Sequence, residues 1–450
     1  MRFNCFFSLF FLLTSLFAEE KGEIRVHLTT HSPLSPLYLS FQEAPSDGCP
    51  LPYLKRLQTV LEFDLKHSGY FTLLKRQEAK ERLLSEKNSQ TAFNLRQWKE
   101  WGIAYVVKGT VAKNKLRLLA LDVPSLSLKQ FEEIPISGDL RKDRREMHKL
   151  SDALLKTLLK KEGVASTRLL FSCQVKNPEQ NAQKWLAEIW ECDWDGANAR
   201  PVKKDKSYNI SPLFVPSKGK NDHFLYVSYQ LSQPKIYLSS LSAPKMNRFL
   251  SLKGNQLLPA LSLERKQAAF ICDAAGRPDL FVQQLNTEGK EKGKAVQLFS
   301  YPHSTQASPT FSPDGSKIAF VSDKDGSPRI YLIPSTRNTR RHDAKLLTRR
   351  NPESSCPNWA PDGSKIAYSA KTEGIRQIWL FDCIKEEEIQ LTFGSGNKEN
   401  PFWAPDSLHL VFNSTDSDSS ELYVVNLNQP EAVKITCGPG KKHYPAWGKR

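Results

Sequence analysis

Few residues in this chain are of a type and spacing that could do chemistry. Its 450 residues include nine histidines and eight cysteines, and neither set recurs at metal-ligand spacing, with no H-E-x-x-H and no C-x-x-C. The strings that would build a serine nucleophile elbow, a phosphate-cradling loop or a dinucleotide turn, G-x-S-x-G, G-x-x-x-x-G-K and G-x-G-x-x-G, do not occur. Two acidic strings, D-K-D-G at 323–326 and D-S-D-S at 416–419, look like the opening of a calcium loop. Pro334 stands where the first would need its bidentate glutamate, and the second has no turn glycine. Both read as hairpin turns. The side chains that remain suit recognition, and their placement depends on the elements that carry them.

Those elements are announced by six prolines, Pro212, Pro259, Pro309, Pro357, Pro401 and Pro445, spaced by 47, 50, 48, 44 and 44 residues. A period in this range is that of propeller blades. The string S-P-T-F-S-P-D-G-S-K-I-A-F at 308–320 returns as C-P-N-W-A-P-D-G-S-K-I-A-Y at 356–368. Each copy reads as a strand, a turn at Asp314-Gly315 or Asp362-Gly363, and a second strand of β-branched and aromatic residues. Further turns and strands follow, giving four strands per unit. In the copy at 400–412, Ser407 replaces the turn glycine; the copies led by Pro212 and Pro259 are weaker. The last copy, Y-P-A-W-G at 444–448, is one strand with nothing after it. The segments at 168–174 and 185–192 have strands but no proline-led opener, so the C-terminal strand is expected to join them and close a six-bladed ring.

The first 167 residues have a different texture. Residues 1–18 read as a signal peptide, with Arg2 before an apolar run too short to span a bilayer; an uncleaved anchor is the alternative. Residues 19–162 alternate helix and strand. Leu54, Leu57, Leu61 and Leu65 recur at helical spacing, a hairpin turns at Lys113-Asn114, and a last helix carries Met147, Leu150, Leu154 and Leu158 up to Gly163. The expected architecture is therefore an α/β N-terminal domain, a linker at 163–167, and an all-β six-bladed propeller over 168–450 closed by the C-terminal strand. No membrane span is expected once the leader is cleaved.

Loss of the leader leaves seven cysteines, an odd number that indicates neither a zinc site nor a full disulfide framework. Cys173 and Cys192, on candidate neighbouring strands, either pair in an exported protein or stay as buried thiols. The formal charge is +16. Its cations are scattered through loops and helix faces without the aromatic interleaving of a nucleic-acid surface, so no nucleic-acid partner is expected, and attraction to anionic envelope polymers or headgroups is the secondary reading.

A signal peptide, a strand at 23–28, an α/β domain, S-P-D-G-S-K-I-A-F repeats and a closing Y-P-A-W-G together resemble the TolB family, the periplasmic component of the Tol-Pal system. D-L-K-H-S-G-Y-F at 64–71, W-G-I-A-Y-V-V-K-G at 101–109 and S-T-R-L-L-F at 166–171 extend the likeness over the mature chain. The resemblance implies a monomeric, non-enzymatic protein without cofactor or resident metal. It implies that the propeller binds a Pal-like peptidoglycan-associated lipoprotein and that the N-terminal segment binds a TolA-like inner-membrane protein, in support of outer-membrane integrity and cell division. Carried over by position, the lipoprotein face comprises His303, Thr305, Gln306, Ser354, Ser355, Lys398, Glu399, Asn400, His443 and Tyr444, expected in loops that enter the inner strands and form one concave mouth. The TolA-like contact falls on Glu23, Ile24, Arg25, Val26, His27 and Leu28, whose alternating apolar residues suit a sheet edge on this protein or on a partner. Two other readings remain: an exported propeller enzyme of lyase or lactonase type with a metal at the ring centre, and a scaffold for outer-membrane protein assembly.

Overall fold

The computed structural model describes residues 24–26, 33–43, 49–86, 88–179, 184–217, 222–243, 245–336, 338–429 and 431–448; the leader expected at 1–18 and residues Glu23, His27 and Leu28 lie outside them. Six four-stranded antiparallel sheets form the propeller. Blades two to six run outward in chain order from inner strands Asn209–Phe214, Gln256–Leu261, Gln306–Phe311, Ser354–Trp359 and Asn397–Trp403. Blade one is composite. The C-terminal strand Lys441–Gly448 is its inner member, antiparallel to Arg168–Lys176, which pairs outward with Trp185–Asp193. Closure therefore joins the last strand of the chain to the first strand of the ring.

Each inner strand has one free edge, toward the axis, and there a proline's missing N–H costs nothing. All six repeat prolines lie in these strands, each beside a bulge in which three steps on the inner strand match two on its partner, as from Ser355↔Ser369 to Asn358↔Ala367. The residue before each proline, Ser211, Leu258, Ser308, Cys356, Asn400 and Tyr444, has φ between 46° and 53°. Right-handed helical backbone is disfavoured before proline, and the bulge accommodates the left-handed alternative. The Asp314-Gly315 turn has Gly315 at φ +72°, whereas Ser407 takes φ 57° with a side chain.

The N-terminal unit is a six-stranded sheet around Ser35–Glu43, which runs parallel to Phe71–Leu73 and to Tyr105–Ala112. Two helices, Leu51–Lys66 and Leu140–Leu159, cover one face through Leu57, Leu61, Leu65, Met147, Leu150 and Leu154. A second cluster with Tyr38, Trp98 and Val106 covers the other. The long helix ends at Lys160 in the left-handed conformation, earlier than Gly163. The connection at 163–167 is packed: Asp152 accepts from the backbone N–H of Ala165 and Ser166 at 2.9 Å each, and Val164 joins the core of blades one and six. Cys173 and Cys192 lie opposite Glu188 and Leu169 rather than each other, so these two thiols do not pair with one another and are buried and free among the described residues.

One end of the ring carries the turns from first to second and from third to fourth strand, and the N-terminal unit seats there on blades one and six. His409, at the start of a blade-six strand, places Nδ1 2.6 Å from Asp406 Oδ2 and Nε2 2.8 Å from the His67 carbonyl of the N-terminal unit. Both partners are acceptors, so both ring nitrogens carry hydrogen. Burial opposes charge on the ring, but the Asp406 carboxylate outweighs it and raises the pKa of His409; Asp406, despite its own burial, is lowered by that imidazolium. The Asp152 carboxylate also favours the charged ring, while the ring of His67, lowered to about 4 by burial and then by Lys66 and His409, is neutral near pH 6. The His409 contribution is complete below its unfolded value of about 6.5 and is lost as pH rises through its raised folded value. The Asp406 contribution is complete above about 3.9 and is lost as pH falls through its depressed value. The melting-temperature gap between the protein and His409→Gln is therefore expected to be widest from about pH 4 to 6.5 and to shrink toward pH 9; a gap independent of pH contradicts the charged pair.

Candidate functional site

Alternation along the inner strands decides which of the expected docking residues reach solvent. The third residue before each repeat proline points into the blade: Asn209, Gln256, Gln306, Ser354, Lys398 and Lys442 are all at most 4% exposed. These side chains pin the loop that leads into the strand. Lys398 Nζ donates to the Gly394 carbonyl at 2.6 Å, Gln256 to that of Leu252 at 2.6 Å, Ser354 to that of Asn351 at 3.1 Å and Lys442 to that of Gly438 at 2.7 Å. Gln306 shares a 2.8 Å hydrogen bond with the Ser304 hydroxyl. Burial lowers Lys398 to about 8. The expectation that Gln306, Ser354 and Lys398 sit in accessible loops is thus corrected: they lie inside strands, with side chains turned inward.

The second residue before each proline points the other way. Ser355, Glu399 and His443 are half-buried at this level beside Asn400 and Tyr444, while His303 and Thr305 are exposed. Glu399 lies 3.4 Å from Arg376 Nε, and Arg376 also donates to Ser355 Oγ at 3.3 Å and approaches Glu353 at 3.6 Å. Burial raises Glu399 above the ordinary carboxylate range, with Arg376 opposing. Burial lowers His443, helped by Lys441, and raises Tyr444 to about 12. Arg376 was not among the expected residues. The T-E-G turn at 372–374 sets a hairpin register that pairs it with Lys371, the one sequence signal that could have found it.

The large cavity lies beyond this level. A space of about 2060 Å³ is bounded on the inner strands only by residues from the left-handed position onward, together with first-to-second turns and the third-to-fourth turn of blade three. It opens toward the end of the ring that carries the N-terminal unit, not toward the strand-entry face expected to form a concave mouth. Between the two, left-handed residues of neighbouring blades touch: Cys356 Sγ lies 3.2 Å from Asn400 Oδ1 and 4.0 Å from Ser308 Oγ. Burial raises the Cys356 thiol, so it is not a poised nucleophile. Among the described residues, the His/Cys/Asp/Glu group with metal-ligand proximity, His148 with Asp193 and Asp195, is away from the axis.

The N-terminal segment has its own seat. Arg25 and Val26 pair antiparallel with Phe393 and Thr392, and the Ile24 carbonyl accepts from Ala432 N–H at 3.5 Å. Ile24 and Val26, 5% and 7% exposed, fill a groove between blades five and six made by Ile378, Leu380, Leu391, Trp403, Leu410 and Phe412. Arg25 faces solvent.

Residues 155–450 match the family model of the TolB beta propeller domain and residues 40–121 that of the TolB amino-terminal domain. A protein TolB homolog of Protochlamydia amoebophila is 46% identical over 397 residues, covering 86% of this chain and 84% of its own. One from Chlamydia felis is 34% identical over 299 residues, 66% of this chain and 64% of its own. The crystal structure of TolB from Acinetobacter baumannii superposes with a TM-score of 0.71 at 22% identity, covering 94% of this chain and 99% of that one, a likeness of fold.

Proposed function

Because this chain belongs to the TolB family of the Tol-Pal envelope system, we propose that it is a periplasmic, non-catalytic adaptor with two protein-docking regions. The strand-entry face, through His303, Thr305, Ser355, Glu399, Asn400, His443 and Tyr444, takes a Pal-like lipoprotein. The segment containing Ile24, Arg25 and Val26 takes a TolA-like inner-membrane protein. The observation that carries this reading is the blade-six inner strand Asn397–Trp403, which serves both regions. It presents Glu399 and Asn400 at its entry and packs Trp403 against the seat of Ile24 and Val26 at its exit. A partner that shifts this strand alters the groove holding the segment, and a backbone pairing two residues long is short enough to be exchanged for another sheet edge.

The test is a calorimetric titration of the mature protein with the soluble domain of its Pal-type lipoprotein. One-to-one binding is expected. Glu399→Lys, which leaves Arg376 facing a second cation, is expected to weaken it at least about tenfold, roughly 1.4 kcal/mol, without changing the melting temperature by more than a degree or two. Absence of binding, or an affinity indifferent to charge at position 399, rejects the assignment of this face. A peptide of residues 19–28 that fails to bind the cognate TolA domain rejects that of the segment.

A further inference from the structure

We propose that the junction between the N-terminal unit and the propeller is a zinc-class divalent-cation site, formed by His148 Nε2 from the long helix and the carboxylates of Asp193 and Asp195 from blade one. The three ligand atoms lie within 4.8 Å of one another. His148 is 1% exposed, and its Nδ1 lies 2.8 Å from Asp64 Oδ2. A carboxylate only accepts, so Nδ1 carries the hydrogen and Nε2 is left to face Asp195. There Nε2 has no hydrogen-bond partner among the described residues, at 3.6 Å from Asp195 Oδ2. If Nε2 is unprotonated, its lone pair points at a carboxylate; if protonated, its N–H is buried and too far away to donate. A metal ion between the two removes both difficulties. Tetrahedral zinc with bonds of about 2.0–2.1 Å holds its ligands about 3.3–3.4 Å apart; the Nε2–Asp195 Oδ2 separation of 3.6 Å is near that, and the full set, within 4.8 Å, would contract around the ion.

The surroundings have the arrangement expected around a ligating histidine, whose second nitrogen donates to a carboxylate held in turn by its own donor. Asp64 accepts from Trp194 Nε1 at 2.8 Å, Asp195 Oδ1 from Ala197 N–H at 3.0 Å and Asp193 Oδ2 from Asn198 Nδ2 at 2.5 Å. Gly196, at φ +81°, holds the two aspartates in a turn so close to blade six that a Cβ there would lie 1.7 Å from the Ile435 carbonyl oxygen. Three carboxylates, of Asp64, Asp193 and Asp195, face two guanidiniums: Arg144 pairs with Asp195 Oδ2, and Arg145 Nε lies 3.6 Å from Asp193 Oδ1. These charges balance only when His148 carries a second proton, and an ion at Nε2 would take that proton's place. Arg144 and Arg145, with side chains 22% and 38% exposed, have room to turn outward and leave carboxylate oxygens to the ion. One imidazole and two carboxylates favour zinc over calcium or magnesium. The ligands come from both sides of the junction, so the ion would clamp the two units together, and its burial sets it apart from a catalytic metal at the ring centre.

The test starts from full-length mature protein stripped with a chelator, then equilibrated with zinc chloride and desalted. One bound zinc per chain is expected by emission spectrometry, with a higher melting temperature and, with cobalt(II) instead, a nitrogen–oxygen tetrahedral visible spectrum. His148→Gln and Asp195→Asn should each weaken zinc binding at least ~100-fold, and His342→Gln should leave it unchanged. No stoichiometric zinc, retention by His148→Gln, or thiolate-to-cobalt charge-transfer bands would overturn the proposal. Should His148→Gln fail to fold, the Asp195→Asn affinity and the wild-type cobalt spectrum decide it.

Discussion

Ending the chain at Gly440 should abolish cooperative folding of the propeller, and Trp447→Ala in the intact chain should cost about 3–5 kcal/mol. The lost strand supplies the whole inner edge of blade one, in register from Lys441↔Gln174 to Gly448↔Arg168. Without it, Arg168–Lys176 becomes an unpaired edge, and blades one and six lose the contact that makes the array a ring. Trp447 concentrates this effect in one residue. It is 4% exposed, packs with Leu169, Phe171, Val411 and Leu422, and donates from Nε1 to Thr167 Oγ1 at 2.7 Å. Circular dichroism melts and size-exclusion chromatography read both variants. A truncated chain that melts as sharply and at the same temperature as the full chain would show that closure does not hold the ring together.

Asp64→Ala should destabilise the protein by about 3–5 kcal/mol, and Asp64→Asn by clearly less. The carboxylate is wholly buried between His148 of its own unit and Trp194 of the propeller. Removing it leaves a buried indole N–H and a buried imidazole without their acceptor, whereas asparagine keeps one oxygen for Trp194. Burial raises Asp64 to about 6, against the pull of His148, and the same carboxylate raises His148 against the burial of that ring. Chemical denaturation of both variants beside Glu78→Ala, whose exposed pair with Arg82 should contribute little, tests this. An Asp64→Ala protein as stable as that control would remove the network from any account of how the units are held.

The ring itself was legible because a repeat states the same local instruction many times. Six prolines mark six free strand edges, and the Asp-Gly turns keep the register between them. The hairpin turn at Lys113-Asn114 also formed, with φ of 50° and 55°, a left-handed conformation that asparagine favours and lysine does not. The accessible candidate docking residues were legible only in part. Position relative to the proline places a residue at the strand entry, but the two-residue alternation then sends Gln306, Ser354 and Lys398 inward and Ser355, Glu399 and His443 outward. A lysine or glutamine turned into a blade is indistinguishable in sequence from one turned to solvent, because what makes its burial tolerable is a set of backbone carbonyls created by the folded loop.

What the sequence by itself determined was the count of blades, the composite blade that closes them and the α/β unit in front, all consequences of short-range patterns and of an orphan strand that needs a partner. Tertiary structure alone decided the rest. It placed the large cavity on one side of the proline ring and the candidate docking side chains on the other. It seated Ile24 and Val26 between blades five and six. It brought His148 to Asp64, Asp193 and Asp195 across separations of 84, 45 and 47 residues. No local pattern encodes such meetings, because they arise where two separately specified units pack, and the electrostatic cost of burying unpaired charge fixes them only once the surfaces have met.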